Sequence, residues 1–178
     1  MRIISGTKRG KKLFTPADER IRPTADRARE ALFSILYAKY FDTLDGVRVM
    51  DIFSGTGAIG LEAASRGAGA VCFVDVDLKL TKKNATVCGF DNLSFMERDA
   101  RRLPKAGAAY GLIFLDAPYN KGLTEPVLGS LLDGGYVDGG TLIVAETAAE
   151  EAFVVPYGLK LAEERVYGAA KFWFLQKA

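Results

Sequence analysis

Asp51-Ile52-Phe53-Ser54-Gly55-Thr56-Gly57-Ala58-Ile59-Gly60 decides the fold. The apolar run ahead of it, from Val47 to Ile52, reads as a strand, and the segment from Ala58 onward as a helix. Glycines between the two permit a tight turn and let a ligand come close to the backbone. The same alternation continues outward. Strands are predicted at 47–52, 70–75, 93–97, 111–116 and 140–146, with helices at 58–66, 77–88 and 122–133. Such a pattern predicts an α/β fold, a Rossmann-like parallel sheet with helices on both faces. After Pro156, the runs Leu159 to Val166 and Lys171 to Leu175 flank Tyr167-Gly168-Ala169-Ala170 and predict a closing hairpin at the sheet edge. Upstream, Thr24 is placed to cap a helix that follows Pro23 and runs to about Tyr40, with Ala28, Leu32, Ile35 and Leu36 on one face. The chain divides into a basic N-terminal part, 1–46, and the α/β domain, 47–178.

Composition narrows the chemistry. A chain of 178 residues with 49% hydrophobic and 26% charged residues is ordinary for one globular domain. No apolar run approaches the roughly 20 residues of a membrane span. The start, Met1-Arg2-Ile3-Ile4-Ser5-Gly6-Thr7-Lys8-Arg9, lacks the apolar core of a secretory signal. Cys72 and Cys88 read as free thiols in a reducing compartment, so a cytoplasmic location is expected. Histidine is absent, which removes Ser-His triads, imidazole bases and His-ligated zinc together. No metal-ligand cluster is visible. The net charge of +2 conceals an asymmetry: residues 1–30 hold nine Lys or Arg against four acids, +5, leaving −3 for the rest. Either the arm engages a polyanion, or it is a solvated basic surface. Thr7-Lys8-Arg9-Gly10 between two β-prone runs, Arg2 to Ser5 and Lys12 to Thr15, predicts a β-hairpin with a basic tip.

Gly55, Gly57 and Gly60 fit the G-x-G-x-x-G spacing, with Asp75 following Gly55 by 20 residues. Formally this is a dinucleotide fingerprint. Asp51, however, sits where the first strand runs into the loop, and its carboxylate would repel a pyrophosphate at the helix N-terminus. It suits a cation. S-adenosylmethionine (SAM) carries an ammonium and a sulfonium and has no phosphate. Asp51, Ser54, Gly55 and Gly57 are therefore expected to line SAM, Asp75 to accept from its ribose, and Asp99 with Ala100 to fix its adenine. The plainer reading is a tight βα turn with exposed acids. Three acids at successive strand ends weigh against it, because such ends converge on one crevice.

Leu112-Ile113-Phe114-Leu115 ends in Asp116-Ala117-Pro118-Tyr119. This could be a strand followed by a proline turn. It also has the parts needed to activate a base amine, whose lone pair is delocalised into its ring. Asp116 and the Ala117 carbonyl could accept its two hydrogens and draw the nitrogen toward tetrahedral geometry. Pro118 biases Ala117 toward an extended conformation, and Tyr119 could stack on an extruded base. Such chemistry depends on positioning and preorganised electrostatics and needs no histidine.

Asp-Ala-Pro-Tyr resembles the Asp/Asn-Pro-Pro-Tyr motif of SAM-dependent methyltransferases that act on exocyclic or amide nitrogens. Arg22-Pro23-Thr24-Ala25-Asp26-Arg27-Ala28-Arg29-Glu30-Ala31-Leu32-Phe33-Ser34-Ile35-Leu36 resembles the N-terminal signature of bacterial 16S rRNA guanine-N2 methyltransferases. The segment Asp51 to Gly67 and the pair Tyr167-Gly168 are similar to the same family, so the resemblance spans almost the whole chain. It implies a class I methyltransferase sheet of seven strands with an antiparallel last strand. It further implies methyl transfer to N2 of a guanine in 16S rRNA of the small ribosomal subunit or its assembly intermediates, by a monomer. The arm residues Arg2, Lys8, Arg9, Lys11, Lys12 and Arg22 would then grip RNA backbone. Ala117 departs from the family's first proline, keeping its carbonyl but not its rigidity. The competing readings are a DNA adenine-N6 methyltransferase, a protein-glutamine methyltransferase, and a non-catalytic RNA-binding module of the same fold.

Overall fold

A computed structural model of the chain describes residues 1–16 and 23–178. The elements follow in the order α1 (Pro23–Lys39), β1 (Arg48–Ile52), α2 (Ala58–Ser65), β2 (Ala70–Asp75), α3 (Lys79–Cys88) and β3 (Leu93–Glu97). A 3-10 turn (Ala100–Arg102), β4 (Leu112–Asp116), α4 (Thr124–Gly134), β5 (Leu142–Ala148), β6 (Leu159–Tyr167) and β7 (Ala170–Lys177) complete the fold. Arg22 and the side chain of Thr24 lie outside the described residues, and α1 begins at Pro23, one residue before the predicted cap.

The strands form one seven-stranded sheet in the order β3-β2-β1-β4-β5-β7-β6. β1 to β5 are mutually parallel, and β7 runs antiparallel to both β5 and β6. The predicted closing hairpin is thus β6–β7, and its second strand inserts between β5 and β6. The continuous apolar runs of β1, β2 and β4 are buried on both faces, as parallel strands covered by helices must be. β3, at an edge, is largely exposed.

Period-two alternation sorts the strand residues into two cores. Val49, Val71, Phe73, Leu112, Phe114, Leu142 and Val144 pack with Leu32, Phe33 and Leu36 of α1 and Leu61 of α2. Met50, Ile52, Val74, Ile113, Leu115, Ile143 and Ala145 pack with Val127, Leu128 and Leu131 of α4. The same parity carries Asp51, Asp75, Asp116 and Glu146 onto the α1/α2 face at the C-terminal ends of four neighbouring strands. Cys72 and Cys88 are buried and unpaired.

The N-terminal arm is not the regular hairpin expected. It has a single antiparallel bridge, Arg2 to Lys12, flanked by bonds from Ile3 N–H to the Lys11 carbonyl and from Gly10 N–H to the Ile3 carbonyl. The remaining backbone donors of its first leg turn to α2 instead. Ile4 and Ser5 N–H donate to the two oxygens of Glu62 (2.7 and 3.0 Å). Thr7 N–H donates to the Ser65 carbonyl (2.7 Å) and Lys8 N–H to Ser65 Oγ (2.9 Å). Gly6, at φ +79°, permits this docking, since a Cβ there would lie 1.7 Å from the Ser65 carbonyl oxygen. The second leg is tied by Asn84, which accepts from Phe14 N–H and donates to the carbonyls of Phe14 and Thr56.

Candidate active site

The order of strands reverses between β1 and β4, so the loops after these strands diverge and leave a crevice. Asp51 stands one residue before the end of β1 on one side and Asp116 closes β4 on the other. A cleft of about 700 Å³ opens here, with Gly55, Asp75, Asp99 and the Asp116–Tyr119 segment among its walls. A smaller one of about 230 Å³ lies toward Met1 and α1 and is lined by Asp51, Ser54 and Arg29. Phe53, Asp116 and Glu146 belong to both.

The glycine loop is built around Asp51, which is 2% exposed. Its Oδ2 accepts the Gly60 N–H (2.9 Å), pinning the first turn of α2 to the end of β1. Burial pushes its carboxyl up to about 7; the Gly60 bond opposes this and the neighbouring Asp75 adds to it. Gly60 serves packing: a Cβ would come within 2.4 Å of the Phe73 ring. Gly55, at φ +53°, has open space where a side chain would be, and its N–H donates to Asp75 Oδ2 (3.0 Å). Gly57, at φ +76°, packs on Thr81. Ser54 is buried with its hydroxyl against that of Thr81 (3.2 Å), so it braces the loop from beneath. Asp99 faces the cleft in a fork with Arg101, whose side chain and backbone N–H hold its carboxyl down at about 2. Ala100 is buried behind it.

Around Asp116 the surroundings are one-sided. No cation pairs with it among the described residues; burial, Glu146 and then Asp51 push its carboxyl well above the carboxylate range. Ala117 is buried, Pro118 is exposed and Tyr119 is 38% exposed. The Tyr119 hydroxyl donates to Glu146 Oε1, and burial and that bond raise its phenol. Of the expected residues, Gly55, Asp75, Asp99 and Asp116 to Tyr119 share the larger cleft, Asp51 and Ser54 line the adjoining smaller one, and Gly57 and Ala100 line neither.

Three residues were missed. Glu146 lies two residues before the end of β5, in register with Asp116 at the end of β4, and it closes the predicted strand 140–146. Phe53 sits at φ +60°, unusual for an aromatic residue, which no sequence pattern announces. Arg27 joins Arg2 and Arg9 along a cleft of about 470 Å³ between the arm and α1. Arg9, Lys11 and Lys12 are exposed, whereas Lys8 is half-buried over the Phe90 ring. Among the described residues no helix is long and apolar enough to cross a membrane, and no cluster of His, Cys, Asp and Glu could hold a metal.

The family model described as "Conserved hypothetical protein 95" matches residues 1–176. Ribosomal RNA small subunit methyltransferase D of Escherichia coli K12 is 32% identical over 99% of this chain and 90% of its own length. The protein of the same name from Haemophilus influenzae is 30% identical, covering 99% and 93%. The solved structure of Escherichia coli yhhF superposes with a TM-score of 0.84 at 32% identity, covering 99% of this chain and 97% of that one. Magnesium protoporphyrin IX methyltransferase from Synechocystis, at 15% identity and a TM-score of 0.65, shares the fold. Through the whole-chain match and the two relatives above, the chain belongs to the family of the ribosomal RNA small subunit methyltransferases D.

Proposed function

We propose that the chain transfers a methyl group from SAM to the exocyclic N2 of a guanine in 16S rRNA of the small ribosomal subunit. The observation that carries this reading is the crevice lined by carboxyls: Asp51, Asp75, Asp116 and Glu146 lie at or near the C-terminal ends of neighbouring strands around an open glycine loop in a chain of this family. The donor set fits SAM and not a pyrophosphate. The one guanidinium in the larger cleft, Arg101, is already forked with Asp99, while the other ionisable walls are carboxyls and a phenol. A bound cation would favour ionisation of these carboxyls, whereas a phosphate would find no free cation to meet it there. Asp51, Ser54, Gly55, Gly57, Asp75, Asp99 and Ala100 would hold SAM, and the open side of Gly55 gives it room against the backbone. SAM supplies an electrophilic methyl group.

The chain's own residues then prepare the acceptor. Asp116 and the Ala117 carbonyl accept the hydrogens of N2, Pro118 fixes that carbonyl, and Tyr119 stacks on the flipped base. N2 would bond the methyl carbon as that carbon's bond to the sulfonium sulfur breaks, leaving a neutral thioether, and the proton lost from N2 would pass to Asp116. Arg2, Lys8, Arg9, Lys11, Lys12 and Arg22 would hold RNA phosphates, with Arg27 sharing the groove of Arg2 and Arg9, while 47–178 performs the chemistry.

The test uses small subunits from cells lacking the gene, incubated with the protein and labelled SAM, with the rRNA digested to nucleosides for mass spectrometry. N2-methylguanosine is expected with the wild type. Asp116→Ala should keep SAM binding and lose on the order of 100- to 1,000-fold in rate. Label in another nucleoside, or none in rRNA, would overturn the reading.

A further inference from the structure

Resting on that reading, we propose that Glu146 selects guanine: its carboxylate accepts the N1–H of the target base while Asp116 accepts from N2. Asp116 and Glu146 are register partners on the parallel pair β4–β5. They share strand parity with Phe114 and Val144, so both leave the sheet on the same face. Parallel neighbours stand about 4.8 Å apart, and Glu146 has one more methylene with which to converge on its partner's position. Both carboxyls line the larger cleft and the smaller one.

The pair is arranged to accept. Among the described residues Glu146 has one side-chain partner, the Tyr119 hydroxyl, which occupies Oε1 and leaves the rest of the carboxylate for the cleft. Asp116 likewise has no cation opposite it among the described residues; burial and the neighbouring Glu146 favour a proton on it in the empty cleft, and donors brought by a base favour that proton's release. A base that brings donors to both oxygen groups relieves this crowding. Guanine alone among the four bases presents two adjacent donor groups, N1–H and N2–H₂, on its Watson–Crick edge. Adenine and cytosine place a ring acceptor beside the amine, which would face a second carboxylate. One acid would serve any exocyclic amine, whereas two side by side discriminate. Tyr119 is the positioning residue: its hydroxyl holds Glu146 in place while its ring remains partly open to the cleft.

The test couples an atom of the base to the side chain. Small subunits are reconstituted with 16S rRNA carrying guanine or 2-aminopurine at the methylated position. 2-Aminopurine keeps the N2 amine but has an acceptor at N1. The wild type should lose on the order of 100-fold in kcat/KM on 2-aminopurine. Glu146→Ala should be slow on guanine but nearly indifferent to the exchange. Glu146→Gln, whose amide can donate to the N1 acceptor, should narrow the guanine preference by about tenfold or more. SAM binding and Tm should remain near wild type in both. The same 2-aminopurine penalty in the wild type and in Glu146→Gln would overturn the assignment. Failure of the wild type to form N2-methylguanosine would overturn the functional reading itself, and this inference with it.

Discussion

Asp51 is almost fully buried, accepts one hydrogen bond from Gly60, and is raised to about 7 by that burial. An unfolded aspartate titrates near 3.9. Between about pH 4 and 7 the folded protein therefore holds a proton that the unfolded chain has released. Its contribution to stability is complete below pH 4 and is lost as pH rises through about 7, at up to about 1.4 kcal/mol per pH unit. Asp116 acts with the same sign. The ligand-free protein should accordingly melt at a higher temperature at pH 5.5 than at pH 7.5. Asp51→Asn keeps an acceptor for Gly60 and removes the charge. It should raise the Tm at pH 7.5 by several degrees, at about 2–4 °C per kcal/mol for a chain of this size, and weaken SAM binding about tenfold or more. Thermal melts and calorimetric titration check both, and a lower Tm at pH 7.5 would show that the Asp51 charge does not oppose folding. At this scale much of the site was legible. Asp75 and Asp116 each terminate an apolar strand and Asp51 stands one residue before the end of another, and an acid at such a place needs only the strand boundary to be found. Glu146 obeys the same rule, but its pairing with Asp116 depends on the β4–β5 register, which one sequence does not contain. Phe53 could not be read at all, because its left-handed backbone is imposed by the loop's closure rather than by its residue type.

α2 shows why elements are harder to read than their boundaries. The run Ala58–Ser65 was recognisable as a helix, but nothing local marks Glu62 as the anchor of residues 57 to 58 positions away in the chain. Glu62 is 0% exposed. Besides Ile4 and Ser5 it accepts from Arg66 Nε (2.8 Å), with Arg29 Nε at 3.7 Å. Those long-range bonds are also why the predicted N-terminal hairpin reduces to one bridge: the donors needed for a ladder are spent on α2. The closing pair β6–β7 forms a continuous ladder by contrast, because its partners are neighbouring strands joined by a tight turn, although its register shifts by a bulge between Leu161 and Glu163. Glu62→Ala would strand two backbone N–H groups and leave Arg29 and Arg66 without their shared carboxylate. Breaking a buried charge group of this kind costs about 3–5 kcal/mol, which corresponds to a Tm decrease of the order of 10 °C. Hydrogen exchange should rise in residues 1–13 before it rises in the sheet. If those amides stay protected in Glu62→Ala, the arm is held by contacts other than those of Glu62, the bonds to Ser65 and Asn84 among them.

Across the whole molecule, charge and topology divide the labour between two surfaces. The sheet order brings the carboxyl ends of β2, β1, β4 and β5 to one crevice, whose carboxyl lining offers a polynucleotide backbone no free cation among the described residues. The basic residues lie on the arm bolted beside it, with Met1 reaching the smaller cleft and Arg2, Arg9 and Arg27 lining the groove against α1. An RNA loop can therefore be held by its phosphates on one surface while only an uncharged base enters the other. Affinity would then depend on salt through the arm alone. Each lost phosphate contact on single-stranded RNA lowers the slope of log K against log salt by about 0.7. Neutralising Lys8, Arg9, Lys11 and Lys12 together should lower it by about 2, because three of the four are exposed and Lys8 is spread over Phe90. Neutralising Lys79 and Lys121, which lie away from the arm in the sequence, should leave the slope close to wild type. The measurement is binding to small subunits from cells lacking the gene across a salt series, with SAM affinity as the control for an intact crevice. An unchanged slope in the arm variant would move the RNA path off the arm, whereas a reduced slope with SAM binding intact would locate phosphate recognition there and base recognition in the acidic crevice.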